Sequence, residues 1–156
     1  MTIGELGNIG EFVSAIGVIV TLVYLAIQIR QSNKLAITSA YQARADANIN
    51  LVATALQSPG GAVALNKCLA DQPLDDAERA FVDWYAEATL VYYENNHFQY
   101  CAGQISEEHW QATVGSIRRF LALRTSREYW QRNAGTYRDS FRAVVDQIVG
   151  EVSNEE

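Results

Sequence analysis

The chain is poor in residues that break or staple a backbone. Two prolines, Pro59 and Pro73, stand in 156 residues, so little interrupts long helices. Two cysteines, Cys68 and Cys101, lie 33 positions apart, too few for a disulfide scaffold or a zinc framework. As unpaired thiols they suit a reducing cytosol, and they read as small buried hydrophobes rather than redox centres. Basic residues are also scarce: 12 Lys and Arg face 18 Asp and Glu, a net charge of -6. That excludes the positive field of a nucleic-acid binder. Charged residues make up 19% and hydrophobic ones 49%, which rules out a disordered chain. The length suits one core.

The most informative absence is local. From Phe12 to Ile29 the chain reads FVSAIGVIVTLVYLAIQI, 18 residues without a charge, between Glu11 and Arg30. As a helix this run covers about 27 Å, close to the ~30 Å hydrocarbon core of a bilayer. We therefore expect a short extracytoplasmic tail at 1–6, a transmembrane helix at 7–30 and a cytoplasmic helical domain at 31–156. The segment before the run holds Glu5 and Glu11 and no Lys or Arg, unlike the basic start of a cleaved signal peptide. Arg30, Lys34 and Arg44 all follow it, which by the positive-inside rule places the bulk of the chain in the cytoplasm. Glu11 falls in the headgroup zone, where water reaches it.

One face of this helix is small. Gly7, Gly10, Ser14, Gly17 and Thr21 recur at spacings of 3, 4, 3 and 4, while Phe12, Ile16, Ile19, Val20 and Val23 fall elsewhere. Lipid offers helices little hydrophobic drive to associate, so small residues matter by letting backbones approach. The spacing is that of a left-handed coiled coil. It predicts a partner face and a homo-oligomer, against the alternative of a glycine-tolerant span with no partner. No Gly or Pro occurs between Val18 and Ser58, so the helix should continue to about residue 57, some 75 Å from residue 7. The same count then runs through Leu35, Thr38, Gln42, Ala45, Ile49, Val52 and Leu56.

The rest reads as helices. SPGG at 58–61 stops the first, and a short apolar helix follows at 62–70. Asp75 and Glu78 form a D-x-x-E start for a helix over about 76–101, ended by Gly103. Its apolar face is expected to hold Phe81, Trp84, Tyr85, Ala88, Val91, Tyr92, Asn95, Phe98 and Gln99. Ser106 caps the next helix, with Ile105 and Trp110 as a hydrophobic staple. A short helix restarts at Thr125 or Ser126 and closes at Gly135, and a last one covers about 139–149. No stretch alternates as a strand would, so the fold class is all-α: a transmembrane helix continuous with a long helix, then a helical bundle.

Charge is uneven. Residues 71–108 carry nine acids and Arg79, a net of 1 - 9 = -8, while residues 118–142 carry seven arginines, Glu128 and Asp139, a net of 7 - 2 = +5. These segments could pair within the bundle, meet anionic lipid heads, or pair between copies.

Catalytic signals are weak. Glu94-x-x-His97 places both side chains on one helix face, but di-iron bundles need two such motifs and further glutamates. A hydrogen-bonding pair is the reading we adopt, with no metal or cofactor. No nucleophile elbow, phosphate loop or H-E-x-x-H occurs. We expect no enzyme and no catalytic residues. Asn95 and Gln99 on an apolar face stand out, since buried amides must be hydrogen-bonded. With Glu94 and Tyr92 they form a polar core that ties helices together or meets a small ligand.

Two segments, GNIGEFVSAIGVIVTLVYLAIQIRQSNK and YYENNHFQYCAGQIS, resemble a widespread group of uncharacterised bacterial membrane proteins. Its members have one N-terminal span ending in a YLA-x-QIRQ-like sequence and a helical domain with an ENxxxQY-like core. The matches are Tyr24 to Gln31, and Glu94, Asn95, Gln99 and Tyr100. The resemblance implies a bacterial inner-membrane anchor followed by a helical domain, and brings no activity, substrate or cofactor; the N-terminus is placed outside by the charged flanks alone. The functional expectation is a scaffold or accessory protein that self-associates through the small-residue face or serves as a subunit of a larger membrane complex. The alternative is a tethered sensor holding a small ligand in its bundle.

Overall fold

The computed structural model describes the backbone of residues 3–153 and, within that range, side chains other than those of 3–10, 13, 34 and 41. It is all-helical, with no strand among the described residues. The chain forms two compact units, one ending at Ala43 and one beginning at Arg44. Helix α1, Ile3–Gln57, supplies the first unit and enters the second. Residues 3–6, expected as a tail, are already helical, and residues 1 and 2 lie outside the described range.

In the second unit α1 ends where the sequence places its stop. Gly60 takes the left-handed conformation at φ 77°, and α2 (Gly61–Leu69) follows at once. A 26-residue α3, Asp76–Cys101, starts on a full capping box: the Asp75 carboxylate accepts from Glu78 N at 2.8 Å, and the Glu78 carboxylate accepts from Asp75 N at 2.9 Å. Gly103, at φ 69°, turns the chain out of α3. Ser106 caps α4 (Glu107–Leu121) through its hydroxyl, which accepts from His109 N at 3.3 Å, and Ile105 and Trp110 are both buried.

Three boundaries differ from expectation, at both ends of α5 and at the end of α6. Helix α5, Arg124–Asn133, has Leu123 at its N-cap, so Thr125 and Ser126 lie buried in its first turn instead of capping it. The break after α4 is a single extended residue, Leu123, and the Arg127 guanidinium donates to the open carbonyls of Leu121 and Ala122 at 3.0 and 2.9 Å. A cation on a helix C-terminus does there what a longer loop would do. Gly135 lies inside a 3-10 turn, Ala134–Thr136. Helix α6, Asp139–Ser153, runs past Val149 because Val152 continues the buried row of Phe141, Val145 and Ile148.

The main core joins α3, α4, α5 and α6 around Leu90, Ile117, Leu121, Trp130, Phe141 and Val145. A smaller cluster, Ala64, Cys68 and Val82, fastens α2 to α3. Here one expected face is corrected. The buried row of α3 is Val82, Ala86, Thr89, Leu90, Asn96 and His97. Trp84, Val91 and Phe98, predicted for that row, are 44%, 51% and 52% exposed. Helix α3 is apolar on two adjacent stripes, and the four-helix core covers only one.

Candidate functional site

Among the described residues one helix, within Ser14–Gln57, is long and apolar enough to cross a membrane, with a mean hydropathy of 1.5 over its best window. A core helix of a soluble protein meets the same length and composition but is mostly buried, whereas no residue of this window is buried. Polar groups inside the run satisfy one another along the helix. The Thr21 hydroxyl donates to Gly17 O at 2.8 Å, and Gln28 Nε2 donates to the Tyr24 hydroxyl at 2.6 Å. Tyr24 and Gln28 lie seven residues beyond Gly17 and Thr21, on the same face. Ser14 and Thr21 are exposed, and a Cβ added at Gly17 would meet nothing within 4 Å. Gly7 and Gly10 belong to α1, but their surroundings lie outside the described residues. Farther along, Leu35, Ile49, Val52 and Leu56 are all exposed.

The polar residues of α3 divide between several partners. The Gln99 amide accepts from buried Arg44 Nη1 and donates to Asn95 Oδ1 at 2.8 Å. The chain Arg44–Gln99–Asn95 thus ties the 44–57 part of α1 to α3. Asn95 itself is exposed, which corrects its expected place in the core. Glu94 turns the other way and accepts from Arg138 N at 2.8 Å, beside the start of α6. Tyr92 packs its ring 5.7 Å from Tyr93 and lines a groove with Asn48 and His109. The four expected polar residues therefore serve three separate contacts rather than one pocket.

His97 is buried, its ring 5.1 Å from that of Trp110 and 5.7 Å from that of Phe141. Burial holds its imidazole below the ordinary value; the Glu94 charge opposes this shift and that of Arg138 adds to it. The Cys101 thiol lies 3.6 Å from its Nε2. Glu94 is engaged at Arg138, and among the described residues no group of three or more His, Cys, Asp or Glu side chains could hold a metal. Burial also raises the Cys68 thiol, keeping it protonated.

The opposed charges meet inside the chain. Arg124 pairs with Asp71 and Arg132 with Asp83, both at 2.8 Å, and Arg79 reaches Glu128 at 3.5 Å. Arg138 stacks 4.5 Å over the exposed Phe98 ring. Sequence reasoning missed two buried polar side chains, Thr89 and Asn96, because the face count on α3 was one residue off. It also missed Arg44, whose long stem crosses apolar surface before its head reaches Gln99. The chain matches no protein-family model, and neither a curated protein nor a solved structure is significantly similar to it.

Proposed function

We propose that this chain is a membrane-anchored helical protein that self-associates through α1 and acts as a scaffold or accessory subunit. The observation that carries the reading is the uncovered state of the apolar window in Ser14–Gln57. An exposed run of this length is stable only where lipid or protein replaces water around it. The i, i+4 bonds of Thr21 and Gln28 favour lipid, because polar groups left unmet in hydrocarbon are costly. The face carrying Gly7, Gly10, Ser14, Gly17 and Thr21 is the close-packing face for a second copy, and Tyr24 and Gln28 extend it. The helices after residue 30 are cytoplasmic in this reading, on the strength of Arg30, Lys34 and Arg44.

Three measurements test it. The chain should stay with membranes after alkaline extraction; release into the supernatant would end the anchor reading. Gly10→Leu with Gly17→Leu should abolish crosslinked oligomers, and an unchanged crosslinking ladder would remove this face as the contact. Cys101, the exposed thiol, should take up an impermeant maleimide only after cells are opened. Labelling of intact cells would reverse the orientation.

A further inference from the structure

A groove of about 460 Å³ opens on the second unit between Asn48 of α1, Tyr92 and Tyr93 of α3, and the face of α4 from His109 to Phe120. That volume is in the range of small-molecule sites, roughly 300–1,000 Å³. Its chemistry is one-sided. The chain has 18 acidic residues, yet none of the described residues lining the groove is Asp or Glu. Arg119 is among its lining residues. Four of the other six arginines in the arginine segment face a carboxylate: Arg118 pairs with Glu151 at 2.6 Å, and Arg124, Arg132 and Arg142 pair with Asp71, Asp83 and Asp139 at 2.8 Å. Arg119 has no acidic partner among the described residues and makes a hydrogen bond to Ser116 Oγ at 3.3 Å. Tyr93 and Phe120, edge to face at 6.1 Å, give the groove an aromatic wall.

An arginine without a carboxylate, set among neutral donors, is suited to a planar or tetrahedral oxyanion, which its fork binds with two parallel hydrogen bonds. Asn48, Tyr92 and His109 offer an amide, a phenol and an imidazole nearby. Burial and the Arg44 charge hold that imidazole below its ordinary value, which favours its neutral form. We infer that this groove binds a small oxyanion, a carboxylate or a phosphate, with Arg119 as its anchoring residue. The oxyanion can belong to a soluble metabolite or to a lipid headgroup, and the recognition chemistry is the same. This inference is independent of the anchor and of self-association.

The chain has two histidines, one lining the groove and one buried against Trp110 and Phe141, so their imidazole NMR signals report binding with a built-in control. Full-length protein in phosphatidylcholine nanodiscs is titrated with inorganic phosphate and with acetate, and compared with protein in nanodiscs containing phosphatidylglycerol. A saturable shift of His109 with His97 still, in either arm, is the expected result. Binding in the soluble arm identifies a metabolite-type ligand, and a shift confined to phosphatidylglycerol identifies a headgroup. Arg119→Gln should weaken the response about tenfold or more, Arg119→Lys less, and Arg142→Gln not at all. No saturable shift in either arm, equal titration of Arg119→Gln, or joint movement of both histidines would overturn the assignment.

Discussion

Asn96 is 1% exposed and neither atom of its amide has a hydrogen-bond partner among the described residues. Seven residues earlier on the same stripe of α3, the Thr89 hydroxyl is in the same position. An unmet buried amide costs about 1–3 kcal/mol. Asn96→Ala removes that cost while opening a small cavity, so the two effects should offset and stability should change by less than about 1 kcal/mol. Leu90→Ala, at a fully buried apolar neighbour, should lose about 2–5 kcal/mol in the same denaturant titration. Equal losses would show that the Asn96 amide is engaged in the folded protein. The histidines give a second residue-scale expectation. Burial depresses both His97 and His109. The unfolded chain therefore takes up protons first as pH falls through the ordinary histidine value of about 6.5, and stability must decline there. Tm should be lower at about pH 5.5 than at about pH 7.5, and His97→Gln with His109→Gln should flatten that slope. A slope that survives the double substitution would place the titrating groups elsewhere.

Helices in this chain are set by their ends, and the ends are where single glycines divide. A Cβ at Gly61 would lie 2.2 Å from Ala55 O and 2.8 Å from the Phe81 ring, so α1 and α2 close on each other only because that atom is missing. Gly115 sits within α4 with nothing within 4 Å of an added Cβ. Gly61→Ala should therefore destabilise by roughly 2 kcal/mol, while Gly115→Ala should stabilise by about 0.5–1 kcal/mol through helix propensity. Opposite shifts in Tm would confirm this, and equal shifts would deny that the junction is tight. The ends are also what the sequence displays best. Asp75 with Glu78, Ser106 and Gly103 are local signals, and each sits where it was read. The faces of α3 are less legible, because Val82, Ala86, Leu90 and Trp84, Val91, Phe98 are both apolar rows at helical spacing. Only the arrival of α4, α5 and α6 decides which row is buried. Cap chemistry within four residues can be read from one segment, whereas a face depends on partners from the whole chain. The Arg119 groove was illegible for the same reason, since Asn48, Tyr92 and Arg119 are brought together only by three helices.

At the scale of the whole molecule, the proposed self-association needs a surface to carry it. The acidic and basic segments answer one another through Asp71–Arg124 and Asp83–Arg132, all of these side chains at least a third exposed. Exposed pairs of this kind contribute about 0–1 kcal/mol each, so charge pairing, within the chain or between copies, is a weak drive. Apolar exposure is then the remaining drive. It occurs on α1 throughout the membrane-length window, and again on the second unit at Trp84, Val91 and Phe98. These surfaces predict different behaviour for a chain cut at the unit boundary. The second unit, Arg44 onward, contains both buried clusters and should fold alone. If α1 holds the copies together, the fragment 44–156 should be soluble without detergent, melt cooperatively and sediment as a monomer, while the full chain requires lipid and forms oligomers. If the fragment dimerises, the α3 stripe is the contact. Trp84→Ser with Val91→Ser should then return it to a monomer, and the small-residue face of α1 would be left with lipid alone.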